Sequence, residues 1–185
     1  MNTGLIPTKY RDAKFASLPT AWRKDLQEAE TAIREKRAYG VMLEGANGVG
    51  KTYAACAFAR RLERTHAVQR YPLFVRATSI RTLWWEYDDF RERQWRKSLQ
   101  DHPLLIVDDF GKEDRTNEYN DQKSLQIMGD LLRARVQSER ITILTTNISH
   151  DNMEEVYGAS VFSLLHEACG CWFAWSGEDR RRARA

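Results

Sequence analysis

The sequence comprises 185 residues with a formal net charge of +3, and hydrophobic residues make up 42% of them. This length suits one domain that buries roughly two-thirds of its unfolded surface, and no apolar run approaches the about 20 residues of a membrane-spanning helix. Because the N-terminus lacks a signal-peptide pattern and the 3 cysteines lack zinc-site spacing, we expect a cytoplasmic protein with reduced thiols and no structural metal.

Helical and strand-like patterns alternate along the chain. An amphipathic helix begins after Pro19 and continues to Lys36, and residues 39–44 then predict the first strand. Further strands are predicted at residues 73–77, 104–108, 141–145 and 171–175. The helices between them are predicted around residues 53–59, 78–87, 125–136, 153–157 and 160–168. This alternation predicts a mostly parallel five-stranded sheet with helices on both faces and ligands at the carboxyl ends of the strands.

A phosphate-binding loop pattern, G-x-x-x-x-G-K-[ST], separates the first strand from the next helix. The loop and the residue after it are Gly45, Ala46, Asn47, Gly48, Val49, Gly50, Lys51, Thr52 and Tyr53. Glycines let such a loop turn its N–H groups towards phosphate, Lys51 can reach the β- and γ-phosphates, and Thr52 can offer its hydroxyl to Mg²⁺. We therefore predict that these residues bind a nucleoside triphosphate.

Two acids, Asp108 and Asp109, lie where the third predicted strand ends. A carboxylate at the end of a buried strand is costly unless a charge pairs with it, and Mg²⁺ bound to the nucleotide would be that charge. We expect Asp108 to hold the metal and Asp109 to orient and activate the attacking water. The fourth strand ends in Thr145, Thr146 and Asn147, where a polar side chain can contact the γ-phosphate or that water.

Together these segments resemble the AAA+ ATPases of the DnaC/IstB type, which are bacterial and phage helicase loaders and transposition helper proteins. The resemblance covers nearly the whole chain, through residues 6–11, the phosphate loop, and residues 104–113 and 143–147. It implies the α/β P-loop (AAA+/ASCE) fold, a three-layer sandwich. Within one domain, residues 1–38 would form an N-terminal segment and helix, and residues 39–185 the ATP-binding core. It also implies ATP and Mg²⁺ as cofactors, Asp109 as the catalytic carboxylate and Asn147 as the first sensor.

The C-terminal third departs from the family pattern. Family members follow the sensor strand with a segment that ends in Arg-Leu, whose arginine reaches a neighbouring subunit's ATP, and Leu164 stands in its place here. Since no arginine finger is assignable, and such a residue is worth about 10³–10⁵ in rate, we expect slow hydrolysis. Residues 177–181 resemble the family's Gly-x-Ser-x-Arg and indicate Arg181 as a second sensor, with Arg180 as a neighbouring candidate and a solvated basic tail as the alternative.

A mixture of aromatic and basic residues between positions 81 and 97 suits stacking on bases and neutralising the phosphates of single-stranded DNA. Its most basic stretch contains Arg93, Arg96 and Lys97. In the resembling family this region lies near the DNA path. The alternative is a helix packed on its own core through Leu83, Trp84 and Tyr87, whose neighbouring acids would repel phosphate.

We therefore predict a bacterial or phage replication factor that binds a replicative helicase and loads it on single-stranded DNA, with slow ATP hydrolysis and self-association on ATP or on the helicase ring. DnaC-type loaders carry a separate helicase-binding domain before the ATPase, so here the segment up to Trp22 or a partner would supply that contact. The nearest alternative is an IstB-like transposition helper acting on duplex DNA. A non-hydrolysing ATP-gated interaction module and a P-loop kinase of small molecules belong to other classes, and the Asp108 and Asp109 pair argues against the kinase.

Overall fold

The computed structural model describes residues 5–65, 71–80, 90–112 and 118–180. Its strands are β1 (Gly40–Gly45), β2 (Leu73–Arg76), β3 (Leu104–Phe110), β4 (Ile141–Thr146) and β5 (Gly170–Trp175). Its helices longer than one turn are α1 (Thr20–Arg34), α2 (Lys51–Thr65), α3 (Phe90–Asp101), α4 (Glu118–Gln137) and α5 (His150–Cys169). Short 3₁₀ turns at Thr8–Tyr10 and Phe15–Ser17 precede α1.

The strands form one sheet in the order β2-β3-β4-β1-β5, and every pairing is parallel. Strand β1 lies inside the sheet, between β4 and β5, and β2 forms the edge beyond β3 and β4. The chain therefore crosses to that edge between β1 and β2. The carboxyl ends of β3, β4 and β1 consequently lie side by side. This arrangement confirms the predicted α/β fold and brings the three predicted motifs to one edge of the sheet.

An apolar layer covers each face of the sheet. On one face α1 and α2 pack through side chains such as Leu26, Ala29 and Phe58, which are fully buried. Trp22, Leu26, Ala29 and Ile33 recur at helical spacing in α1, so that helix lays one stripe on the core. On the other face the described residues of α3, α4 and α5 form a second layer.

Two elements differ from the sequence prediction. Strand β3 continues to Phe110, two residues beyond the predicted end at Asp108, so Asp109 also belongs to the strand. Helix α3 was not predicted, because charged residues dominate residues 90–101. The two predicted short helices after β4 both form, as the two parts of α5, and the non-helical backbone of Gly158 separates them.

Of the helices within the described ranges, none has both the length and the apolar character that crossing a bilayer requires. Cys56 and Cys169 are buried and Cys171 is half-buried.

Candidate nucleotide-binding site

A cavity of about 560 Å³ opens at the carboxyl ends of β1, β3 and β4. Its lining includes eight of the residues predicted to bind nucleotide or to act on it: Asn47, Gly48, Gly50, Lys51, Thr52, Tyr53, Asp109 and Asn147. Arg180 also lines it, together with Lys9, Tyr10 and Ser17 from the segment before α1. The structure thus brings most of the predicted site together around one cavity.

The phosphate loop between β1 and α2 depends on glycine at positions where the backbone turns. Gly48 and Gly50 have φ angles of 81° and 113°, a region that side chains with a Cβ rarely adopt. Gly48 also has no room for a side chain, because an added Cβ would lie 1.8 Å from Asp179 Oδ1. Val49 between them is buried and fastens the loop to the core.

Lys51 is held at the centre of the site. Only 6% of the residue is exposed, and its Nζ donates hydrogen bonds to Gly45 O at 2.6 Å and to Ala46 O at 2.9 Å. It also donates to Asn147 Oδ1 at 2.7 Å, and Asn147 Nδ2 donates to Asn47 Oδ1 at 3.0 Å. The ammonium therefore joins the phosphate loop to the end of β4, where a phosphate cradled by the loop would meet both groups.

Asp108 and Thr52 form the part of the site that suits a metal. Thr52 Oγ1 and Thr145 Oγ1 each donate to Asp108 Oδ1 at 2.8 Å. Asp108 is 4% exposed and makes no salt bridge within the described part of the chain. Burial raises the pKa of its carboxyl, although the two hydroxyl hydrogen bonds oppose that shift.

A buried carboxylate that makes no salt bridge with the described residues, beside a hydroxyl oxygen, is the donor set that Mg²⁺ accepts in phosphate-loop sites. Thr52 and Asp108 therefore fit the metal that the sequence predicts. Within the described residues, no cluster of three or more His, Cys, Asp or Glu side chains offers an alternative all-protein metal site.

Asp109 adopts a backbone conformation that is uncommon for a residue with a side chain. Its φ angle is 58°, and its backbone N–H donates to Thr145 Oγ1 at 3.0 Å. This turn directs the half-buried carboxylate to the cavity, whereas its neighbour Asp108 points inward. Lys112, which sequence reasoning missed, lies 3.2 Å from Asp109 Oδ1 and donates to Asn47 Oδ1 at 3.4 Å. A backbone strained at this position is typical of functional sites.

The C-terminal segment contacts the phosphate loop through Arg180, whereas Arg181 lies outside the described residues. The Arg180 N–H donates to Gly48 O at 3.1 Å, and its guanidinium carbon lies 5.1 Å from the Trp22 ring centroid. Trp22 in turn stacks on Trp175 with ring centroids 4.1 Å apart. Arg180, the neighbouring candidate of the sequence analysis, is thus positioned at the cavity.

The residues predicted to contact DNA lie elsewhere. Arg96 and Lys97 belong to α3, which packs on the face of the sheet opposite α1 and α2, and they do not line the cavity. Lys97 is exposed and Arg96 is half-buried. The side chain of Arg93 and residues 81–89 lie outside the described residues, so DNA contact by this region stays a prediction.

Leu164, at the family's arginine-finger position, packs partly buried against the core layer of α4 and α5. Helix α5 contains neither lysine nor arginine along its whole length. A finger therefore cannot come from a neighbouring position of this helix.

Sequence reasoning overlooked the contribution of the N-terminal segment. Lys9 and Tyr10 fall in the motif at residues 6–11 that the family resemblance singled out, yet no role was assigned to them. In the structure they and Ser17 form one wall of the cavity. Trp22, considered above as a partner contact, is 7% exposed and belongs to the core instead.

Comparison with known proteins agrees with this geometry. A family model described as IstB-like ATP binding protein matches residues 8–165. No protein of curated function matches the sequence. The fold is similar to the crystal structure of the DnaI, with a TM-score of 0.75, 20% identity, and coverage of 92% of this chain and 94% of that one.

Two further solved structures are similar over most of this chain. The DnaC helicase loader has a TM-score of 0.73 and 18% identity, covering 91% of this chain and 99% of that chain. AMPPCP-bound DnaA from Aquifex aeolicus has a TM-score of 0.68 and 14% identity, covering 96% of this chain and 52% of that chain. At these identities the structures establish the fold, which is that of P-loop AAA+ proteins.

Proposed function

This chain belongs to the IstB-like ATP-binding protein family, and from that premise we propose that it is a replication factor that uses ATP to bind a replicative helicase and place it on single-stranded DNA. The observation that carries the proposal is the arrangement around Lys51. Its ammonium contacts Gly45 O, Ala46 O and Asn147 Oδ1, so one cation connects the phosphate loop with the end of β4. Binding of a triphosphate at that point would be sensed by both elements.

Different residues of the site bind different parts of the nucleotide. The loop N–H groups and Lys51 hold the β- and γ-phosphates, and Tyr53 and Arg180 line the rest of the cavity. Thr52 and Asp108 would hold Mg²⁺, which would neutralise charge on the phosphate oxygens when bound. Asn147 orients the γ-phosphate end of the site.

Hydrolysis is proposed to be slow. Asp109 faces the cavity and would orient the attacking water, with Lys112 fixing its carboxylate. The half-buried Leu164 and the absence of lysine and arginine from α5 leave the developing charge without an arginine from that helix. Loss of such a residue reduces the rate by about 10³–10⁵, so ATP would act mainly as a conformational switch.

The loader assignment is supported by the similarity to the DnaI and to the DnaC helicase loader over more than nine-tenths of each chain. A transposition helper acting on duplex DNA is the second candidate, because the matching family model describes IstB-like proteins. A non-hydrolysing ATP-gated interaction module is the limiting case in which the rate falls to zero. Self-association on ATP or on the helicase ring belongs to the same proposal.

Co-purification with the replicative helicase of a candidate host tests the proposal. The protein and the helicase are mixed with ATP and Mg²⁺, and again without them, and resolved by size. We expect a complex whose amount depends on nucleotide and is lost with Lys51→Ala. Arg133→Ala, which removes one exposed cation from α4, is the matched control and should leave the complex intact. No complex in either condition, together with ATP-dependent assembly on duplex DNA, would instead support the transposition helper.

A further inference from the structure

A second and larger cavity, of about 1010 Å³, lies between the segment at residues 12–16 and the facing surfaces of α1 and α2. We name it the basic cleft. Its lining contains six cationic side chains, namely Lys14, Arg23, Lys24, Arg60, Arg61 and Arg64. Asp12 is the one acidic residue among the lining residues. No part of the proposed nucleotide chemistry uses this cavity.

Most of the cations in the basic cleft form no ion pair with the residues that the structure describes. Arg61 is the exception, since it pairs with the buried carboxylate of Glu30 and lies 4.6 Å from the Phe15 ring centroid. Lys14, Lys24, Arg60 and Arg64 make no salt bridge within the described part of the chain. Arg23 Nη2 donates to Thr20 Oγ1, but within the same part of the chain its buried Nε has no hydrogen-bond partner. Like charges held this close favour an anionic occupant.

The cations form two rows on opposite walls of the basic cleft. On α1, Thr20, Arg23, Lys24 and Gln27 have the spacing of residues on one helical face. On α2, Arg60 and Arg64 are one turn apart and face the same cavity. An extended polyanion lying along the cleft would meet charges from both sides, together with the neutral hydrogen-bonding groups of Thr20 and Gln27.

The apolar residues of the lining indicate whether the polyanion is an acidic protein or a nucleic acid. It consists of Ala13, Phe15, Ala16 and Ala57, which are small except for Phe15. A protein partner is normally anchored by large side chains in apolar pockets, and these residues provide none of that size. A nucleic-acid backbone requires only cations and hydrogen-bond donors. The walls are two adjacent helices, and a single strand is flexible enough to follow a cleft between them, whereas a duplex has a persistence length of about 50 nm.

From these observations we propose that the basic cleft binds the phosphate backbone of single-stranded DNA. This site is separate from α3, because α1 and α2 cover the opposite face of the sheet. It is also separate from the nucleotide cavity, although the two share a wall. Lys9, Tyr10 and Ser17 line the nucleotide cavity, residues 12–16 line the basic cleft, and the Lys14 N–H donates to the hydroxyl of Tyr53 at 3.0 Å.

The test is the affinity of the full chain for a fluorescein-labelled oligo(dT), measured by anisotropy over a range of salt concentrations with no helicase present. Lys24→Ala combined with Arg64→Ala removes one exposed cation from each wall. We expect affinity to fall about tenfold and the slope of log K against log salt to become shallower by about 1.4, since each lost contact to a single strand contributes about 0.7. Lys14→Ala combined with Arg60→Ala provides a second, independent pair.

The matched control is Arg37→Ala combined with Arg133→Ala, which removes the same charge from exposed positions outside the basic cleft. This control should lower the affinity for oligo(dT) by less than about twofold. Unchanged affinity in both cleft pairs would overturn the proposal, and so would stronger competition by polyglutamate or by duplex than by unlabelled oligo(dT) at equal charge. The assay contains no helicase, so its result does not depend on whether the protein binds one. The proposed function is therefore tested independently.

Discussion

Replacement of Arg135 by methionine is expected to destabilise the fold by about 4 kcal/mol. Arg135 is fully buried, and burial lowers its pKa to about 9, so the guanidinium is still cationic at neutral pH. It donates hydrogen bonds that join the end of α3 to the start of β4, to Leu99 O, Gln100 O, His102 O, Ile141 O and Thr142 Oγ1. Methionine fills similar space but donates nothing.

The expected loss of stability follows from the carbonyl oxygens that the substitution leaves without a hydrogen-bond donor. Leu99 O and Ile141 O receive the shortest of these bonds, at 2.6 and 2.7 Å. Leaving each without a donor costs about 1–3 kcal/mol, or about 2–6 kcal/mol together, with about 4 kcal/mol at the centre of that range. For a chain of this size, about 4 kcal/mol lowers Tm by about 8–16 °C.

The assay is denaturant unfolding followed by tryptophan fluorescence. Arg135→Lys keeps the charge but offers three donors in place of five, so its midpoint should fall between those of the wild type and Arg135→Met. Arg133→Met on the same helix is the matched control, because Arg133 is exposed and contacts only Asp130 in this part of the structure. A loss below about 1 kcal/mol for Arg135→Met would refute the claim that this arginine holds α3 against the sheet.

Further predictions concern the site and the DNA contacts. Lys51→Ala should weaken binding of a fluorescent ATP analogue at least tenfold, and an unchanged affinity or hydrolysis rate would remove the role given to its ammonium. Because burial raises the pKa of Asp108, the folded protein holds that proton more tightly than the unfolded chain, and wild-type stability is lost as pH rises from about 4 through the raised pKa. Asp108→Asn should therefore match the wild type in Tm at acid pH and exceed it at neutral pH while abolishing Mg²⁺-dependent hydrolysis; a lower Tm at neutral pH would contradict this. Arg180→Ala should reduce ATP affinity more than removal of the following arginine and should change tryptophan fluorescence, because its guanidinium lies over an indole ring; equal effects would favour the following arginine as the sensor. Arg96→Ala combined with Lys97→Ala should weaken oligo(dT) binding with a shallower salt dependence, and unchanged affinity would mean that this cluster is only a solvated face.

The strands of the sheet were predictable from sequence, because buried parallel strands are short apolar runs with clear limits. The end of β3 was less so, since its last residues include two acids that resemble a polar loop. Their place in the strand depends on tertiary contacts, as Thr52 and Thr145 both donate to Asp108. Helix α3 was not predicted because its sequence is rich in charged residues and its packing, too, depends on tertiary contacts. The position of α3 depends on Arg135, which donates a hydrogen bond to Leu99 O in that helix. These two residues are 36 positions apart, so no local sequence pattern indicates their contact.

The candidate site was predictable where one short motif specifies the chemistry and unpredictable where distant residues meet. The phosphate loop was identified from eight consecutive positions, and its cavity-lining residues lie where the pattern places them. The contact from Lys112 to Asn47 spans 65 residues, and that from Asn147 to Lys51 spans 96. The His150 and His166 ring nitrogens, 3.3 Å apart, meet across the break at Gly158. Such pairs depend on how elements pack, which periodicity does not encode.

The segment before α1 connects the two cavities, and this connection suggests how ATP can influence a DNA strand bound elsewhere. Arg180 contacts the phosphate loop through its N–H and Trp22 through its guanidinium, so a nucleotide that attracts this side chain would also alter the packing at the first turns of α1. Trp22 is tied to the sheet by Trp175, whose indole N–H donates to Asp25 at 2.8 Å. These contacts fix the orientation of the helix that forms one wall of the basic cleft. Any effect of nucleotide on strand affinity must be matched by an equal effect of the strand on nucleotide affinity, so oligo(dT) should shift the ATP titration of the wild type and lose that influence when the cleft cations are removed.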